Sequence, residues 1–223
     1  MAVPTIELTP EERELFDTLL LASKKPDGSC TTLRCAGGWV RDKLLGRASD
    51  DVDVALDDCS GETFAERVNA VLASRGEAVG RVAVIAANPA QSKHLETARV
   101  RVGGVWVDLV NLRSEEYAQA SRIPSARPGT PLEDALRRDF TINALFYNVN
   151  EGKVEDLTGS GVRDLLVGRI IRTPLPPTQT FLDDPLRVLR AVRFASRFDF
   201  AIEQTCQDAA KDAQVRKETN KRQ

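Results

Sequence analysis

Two short stretches of the sequence carry residue types whose spacing can do chemistry. In "DVDVA", residues 51–55, Asp51 and Asp53 stand two apart in a strand-like alternation. Side chains i and i+2 share a face of a strand, so both carboxylates point one way while Val52, Val54 and Leu56 point into a core. Two like charges that close repel unless water or a cation sits between them. Such a pair is therefore either a solvated face or a divalent-cation site of the kind used in two-metal phosphoryl transfer. Just upstream, "AGGWVRD", residues 36–42, sets Gly37 and Gly38 at the start of a helix. Glycines there either serve a turn's backbone angles or let main-chain N–H groups approach an anion closely, with Arg41 one turn on to add a charge-assisted hydrogen bond. Together, an anion cradle beside an acidic pair describes a site for a nucleotide with its metal ion.

Elements to position these groups are legible on either side. Thr9, Pro10 and Glu12 form a capping pattern ahead of the stripe Leu15, Leu19 and Ala22, which predicts a packing helix. "TTLRCA" reads as a strand, "GGWVRDKLLG" as a helix closed by Gly46 and "DDVDVAL" as a strand. "ETFAERVNAVLASRG" reads as an amphipathic helix, "VGRVAVIA" as a strand and "ARVRVGGVWVDLVNL" as a hairpin about Gly103-Gly104. Residues 115–130 lack periodicity and predict a loop. Thr130 to Glu133 repeats the capping pattern and predicts a helical stretch through "EDALRRDFTINALFYN". The turn-rich "TPLPPTQTFLDDP" then leads to a helix over "PLRVLRAVRFASRF", with Asp184 as N-cap and Pro185 at its first position, and the rest of the chain is polar. Strands alternating with helices and then pairing as a hairpin give an α/β or α+β class with a mixed sheet.

Composition narrows the function classes. The 223 residues carry 31 Lys+Arg and 33 Asp+Glu for a formal net charge of −2, so overall charge does not mark a nucleic-acid binder. The balance is local: between Ser160 and Phe198 seven arginines face three aspartates. The four cysteines form no CxxC pair and are expected to be reduced, buried or inert. The single histidine, His94, is assigned to structure or surface, and a zinc site of ordinary ligand spacing is not expected. No apolar run is long enough to cross a bilayer, and the acidic start lacks a signal or presequence pattern. An intracellular location is expected, with the compartment open.

"GGWVRDKLLG…DDVDVA" resembles the first motif of the nucleotidyltransferase superfamily. The remaining motifs resemble the branch that holds CCA-adding tRNA nucleotidyltransferases and related poly(A) polymerases. "EDALRRDFTINALFYN" is similar to its ribose-contacting motif, "VEDLTGSGVRDLLVGRIIRT" to its hinge and "DDPLRVLRAVRFASRF" to its nucleotide-template motif. "SKHLETARV", "VDLVNLR" and "INALFYN" look most like the eukaryotic enzymes. The resemblance runs from about Thr32 to Phe200. It implies a catalytic head over residues 1–180 with a mixed sheet and flanking helices, and over 181–223 the start of an all-helical neck. Members continue into a body and tail that grip tRNA, so most of that part is expected to be missing here. The implied reaction adds C and A to the tRNA 3′ end from CTP and ATP, with Mg²⁺ held by Asp51 and Asp53. Asp108 is either a third acidic residue of the site or a surface residue. Arg138, with Asp139 nearby, is implied to contact the nucleotide. Asp184 offers only acceptors and Arg187 only donors, an edge that fits cytosine and adenine but would leave uracil and guanine unsatisfied. Arg190 and Arg193 follow at three-residue steps as a basic stripe for the base or phosphates. Poly(A) addition, or a non-catalytic nucleotide- or RNA-binding fragment, are the alternatives.

Overall fold

Thr9 caps the first helix through a reciprocal bond with Glu12, whose backbone N–H donates to the Thr9 hydroxyl at 3.2 Å while the Thr9 N–H donates to the Glu12 carboxylate at 2.8 Å. The computed structural model describes residues 4–49, 51–85, 97–116 and 125–220. Its elements run α1 (Pro10–Ser23), β1 (Leu33–Ala36), α2 (Gly38–Leu44), β2 (Val52–Leu56), α3 (Gly61–Ser74), β3 (Ala83–Ile85), β4 (Thr97–Val102) and β5 (Val105–Asn111). There follow β6 (Arg113–Glu116), β7 (Ser125–Pro128), α4 (Pro131–Leu136), β8 (Phe146–Asn148), β9 (Lys153–Glu155) and α5 (Gly161–Arg163). The chain closes with β10 (Ile170–Ile171), α6 (Pro177–Asp183), α7 (Leu186–Phe198), β11 (Ala201–Ile202), α8 (Gln204–Lys211) and α9 (Ala213–Asn220).

Seven strands form one mixed sheet in the order β3-β4-β5-β2-β1-β8-β9, in which β2 and β5 run parallel and the other neighbours antiparallel. The sheet's alternation sorts its side chains. Val52, Val54, Leu56, Val100, Val107 and Leu109 point to the face covered by α1 and α3, where the main core also holds Phe16, Trp39 and Phe64. Trp39 meets Phe16 edge-on at 5.5 Å and Tyr147 at 5.6 Å between ring centroids. Among the described residues the other face carries a smaller apolar cluster of Ala36, Ala55, Leu112, Ala135, Ala144 and Phe146. Alternation thus leaves one side of β2 and β5 open beside α4.

Three expectations need correction. The aperiodic 115–130 stretch is not all loop: β7 pairs with β6 from Arg113–Pro128 to Glu116–Ser125, and residues 117–124 lie outside the described set, as does His94. The helix begun at Pro131 stops at Leu136, because Asp139 turns its carboxylate onto the Phe140 N–H at 2.8 Å and Phe146–Asn148 extends to pair with β1 as β8. "PTQTFLD" is helical (α6), and α7 starts at Leu186, with the Leu186 N–H donating to the Asp184 carboxylate at 3.1 Å. The polar end also forms α8 and α9, which bury Cys206, Ala209 and Val215. The cysteines are free thiols, as expected, but Cys30 is exposed.

Phe194 of α7 packs edge-on to Phe140 at 5.8 Å, which joins the helical segment to the sheet domain. The parallel pairing of β10 with β11 ties the same two regions a second time. Among the described residues no helix is long and apolar enough to cross a membrane.

Where α3 meets the sheet, a Cβ on Gly61 would come within 2.8 Å of the Leu109 carbonyl oxygen and 3.1 Å of the Ala98 amide nitrogen, both backbone atoms that cannot swing aside. Gly61→Ala should therefore destabilise the chain by about 1–3 kcal/mol, read as a lowered urea midpoint at unchanged slope.

Candidate active site

Asp53 is exposed between buried Val52 and Val54, and Asp51, two residues earlier, is exposed as well. The parallel ladder pairs Asp53 with Asp108, so the β5 carboxylate stands beside it on the same face. Asp108 in turn faces Arg99 across β4 and β5, with Arg99 Nε 2.9 Å from Asp108 Oδ1. Partial desolvation and the adjacent Asp108 charge, helped by Asp51, raise the Asp53 carboxyl above its ordinary value, while Arg138 and Arg99 pull the other way. Desolvation is the larger cause, and the neighbouring like charges add to it. Oxygen donors on an open face suit a hard divalent cation. Yet Asp108 is turned toward Arg99, and among the described residues no three acidic, histidine or cysteine side chains converge closely enough to hold a metal ion as they stand.

The glycine turn lies at the end of β1. Gly37 has φ +64° and ψ −111°, and a Cβ there would meet Arg138 Nη1 at 2.8 Å and the Asn143 carbonyl oxygen at 3.3 Å. Only glycine satisfies both the angle and the space. Gly38 opens α2. Arg41 was expected to reach for phosphate, but it is buried and already engaged. Its Nε and Nη2 donate to the two Asp42 oxygens at 2.9 Å each, Nη1 donates to the Asn143 side chain, and its plane lies over Phe194 and Phe198 at 5.2 and 4.8 Å. It borders the cavity as a structural cation.

Arg138 is fixed by its neighbours on α4 and on Asn143. Nε and Nη2 donate to Asp134 Oδ2 at 3.0 and 2.7 Å, and Nη1 donates to the Asn143 carbonyl at 3.3 Å. Burial opposes ionisation of Asp134, but Arg138 and Arg137 outweigh it and hold its carboxyl below the ordinary value. Asp139 is buried and joins three parts of the chain. Its Oδ1 accepts from Phe140 N–H and from Asn143 Nδ2 at 3.0 Å, and its Oδ2 accepts from Arg190 Nε at 2.8 Å and Nη2 at 2.6 Å. Asp184 sits just ahead of α7, and Arg187 Nη2 donates to the Arg137 carbonyl at 2.8 Å.

The glycine turn and the α4 and α7 groups border one cavity of about 550 Å³, whose lining does not include Asp51, Asp53 or Asp108. Gly37, Gly38, Arg41, Arg138, Asp139, Asp184, Arg187 and Arg190 all line it. Arg193 does not; it lies against the Phe194 ring at 5.2 Å, because the three-residue step carries it round α7. Five lining residues escaped sequence reasoning: Arg113, Arg137, Asn143, Leu186 and Phe194. Arg137 and Asn143 stood inside a quoted motif without a distinguishing neighbour, and Arg113 reaches the cavity only because β6 follows β5. With six arginines and two aspartates on its wall, the cavity suits a polyanion of nucleotide size.

Comparison with known proteins agrees with that chemistry. A curated relative, the mitochondrial CCA tRNA nucleotidyltransferase of Saccharomyces cerevisiae, is 55% identical over 188 residues, which cover 82% of this chain and 34% of that protein. The chain thus spans about a third of that relative's length. Among solved structures, an apo CCA-adding enzyme superposes with a TM-score of 0.77 at 32% identity, covering 96% of this chain and 46% of the other. A CCA-adding enzyme in complex with CTP superposes at 0.70 and 32% identity, over 97% of this chain and 44% of the other. The sequence model of the poly A polymerase head domain matches residues 33–171, well over half of the chain, and the protein belongs to that family of nucleotidyltransferase heads.

Proposed function

We propose that this chain is the catalytic head of a tRNA nucleotidyltransferase that extends the RNA 3′ end with C and A from CTP and ATP, with residues 181–223 as the first helices of its neck. What supports this reading above all is the single cavity in which the Gly37 turn, Arg138 and the Asp184–Arg187 pair meet beside the carboxylates of β2. Similarity to CCA-adding enzymes, one of them with CTP bound, adds to it. Such a reaction on tRNA belongs inside the cell.

In the reaction the RNA 3′ hydroxyl oxygen forms a bond to the α-phosphorus, and the bond from that phosphorus to the bridging oxygen breaks. Pyrophosphate leaves with the electron pair, and the hydroxyl proton passes to solvent. Asp51 and Asp53 would hold the divalent ion, taken as Mg²⁺, with Asp108 joining them once it leaves Arg99. When bound, the ion lowers the pKa of the attacking hydroxyl and neutralises charge on the phosphate oxygens. The protein supplies positions. Arg138 and Gly37 line the part of the cavity that would receive ribose and phosphates, and the arginine-rich wall would offset triphosphate charge. Asp184 accepts from the exocyclic amine of cytosine or adenine, and Arg187 donates to the neighbouring ring nitrogen. Backbone bonds at Leu186 and Arg137 hold the two side chains in place, so the edge they present is fixed before the base arrives.

The crowded carboxylates make function and stability oppose each other. A carboxyl whose folded pKa is raised favours folding when protonated, so the wild type loses stability as pH rises through that raised value and regains it as pH falls toward the ordinary carboxylate range. Asp53→Asn should therefore be more stable than wild type at neutral pH without divalent ions, and the gap should close as pH approaches about 4. The same variant should lose about a thousandfold or more in incorporation of labelled CTP into tRNA lacking its CCA end. Retained incorporation would overturn the metal assignment.

Asp184→Ala tests base choice. Selectivity for CTP and ATP over UTP and GTP should fall by about 5- to 150-fold, the loss that one unsatisfied buried polar group imposes. Unchanged selectivity would remove Asp184 from this role, and incorporation of ATP without CTP would favour poly(A) addition instead.

A further inference from the structure

The open face that carries the carboxylates continues to an aromatic side chain that the nucleotide cavity does not use. Trp106 lies two residues before Asp108 on β5, so the two share a face, and Trp106 is 44% exposed. Across the β4–β5 ladder Arg101 stands opposite Trp106, as Arg99 stands opposite Asp108. Both guanidinium groups lie over the indole, at 5.6 Å for Arg99 and 5.9 Å for Arg101, and Arg101 Nε is anchored on the Gly104 carbonyl at 3.2 Å. The parallel ladder pairs Val52 with Val107, which sets Trp106 alongside Asp51 one step further along. Read across the sheet from β4 to β1, the order is two arginines, an indole, the carboxylates and the glycine turn.

That order matters for an in-line displacement. The attacking oxygen must approach the α-phosphorus from the side opposite the departing pyrophosphate. The arginine-rich wall that suits the triphosphate lies on the β1, α4 and α7 side of the carboxylates. The hydroxyl must then arrive from the β5 and β4 side, where, among the described residues, Trp106 offers an exposed aromatic surface. A partly exposed indole beside two guanidinium groups is the equipment of a single-strand nucleic-acid site: stacking accepts any base, and the cations, which can move off the ring, attract the backbone. Tolerance suits an end whose last base changes after every addition.

We propose that Trp106, flanked by Arg99 and Arg101, is a stacking platform for the terminal base of the single-stranded RNA 3′ end and delivers its hydroxyl to Asp51 and Asp53. This rests on the reading of the chain as a nucleotidyltransferase head.

The chain has two tryptophans, and Trp39 is buried at 1% exposure, so quenching by a dissolved oligonucleotide reports on Trp106. The full chain, without divalent ions, is titrated with a short single-stranded RNA ending in cytidine, with the same RNA carrying an abasic terminal nucleotide, and with CTP alone. The intact RNA should quench the emission, and the abasic RNA should bind about fivefold more weakly or worse. Trp106→Phe should abolish the quenching. In turnover assays Trp106→Ala should raise KM for the RNA about tenfold while KM for CTP stays within about twofold, and Trp106→Phe should restore most of the loss. Equal quenching by the abasic RNA, quenching by CTP as strong as by RNA, or an unchanged RNA KM in Trp106→Ala overturns the platform. A chain that incorporates nucleotide but shows no quenching keeps its proposed function and loses the platform. A chain that shows base-dependent quenching without incorporation keeps the platform and loses the proposed catalysis.

Discussion

The cavity depends on one buried carboxylate. Asp139 bonds to its own turn through Phe140 and Asn143 and reaches across to Arg190 of α7 with the other oxygen. That second bond joins α7 to the turn beside the glycines, and the Arg187 bond to the Arg137 carbonyl adds a second polar tie. A buried charge that loses its partner typically costs about 3–5 kcal/mol. Here Arg190 is 42% exposed, so water screens part of that cost. The pair's main effect is geometric. It fixes one helix relative to one sheet, and the packing of Phe194 on Phe140 supplies the apolar contact that keeps the interface closed.

The surrounding arginines divide into two kinds by what they have already bonded. Arg41 spends three donors on Asp42 and Asn143 and stacks on two phenylalanines, so it acts as part of the wall. Arg137 and Arg138 share Asp134, which remains ionised in spite of its burial because both cations face it. Fixing these guanidinium groups in advance means that a polyanion entering the cavity need not order them. A row of loose surface arginines would carry the same charge and lose that advantage.

Much of this was legible in the sequence where a local rule decides the outcome. Period-2 alternation put Asp51 and Asp53 on one face, and the capping pairs at Thr9 and Thr130 located two helix starts. What stayed hidden depends on partners far along the chain. The helical pattern after Thr130 ends early because Asp139 competes for its own backbone and because β1 needs β8 as a neighbour. Arg41 could be placed at the glycine turn from the sequence, but its bond to Asn143, 102 residues away, could not be seen there. The ambiguity of Asp108 is of the same kind: alternation assigns a face within a strand, but only the β2–β5 register brings it beside Asp53.

That register explains why the site sits where the chain is locally least comfortable. Antiparallel neighbours can be joined by a tight turn, as β4 and β5 are, but a parallel pair needs a long connection. Here α3, β3 and β4 make that crossing and, on the way, α3 covers the apolar face of the two strands they bridge. Burial on that face fixes the register, since a slip of one residue would turn Val107 and Leu109 outward. The same register forces Asp53 and Asp108 together on the open face, against their mutual repulsion, and so raises Asp53. The unfavourable contact is therefore held in place by hydrophobic packing on the opposite side of the sheet. A cation or a guanidinium relieves it, and Arg99 already plays that part for Asp108.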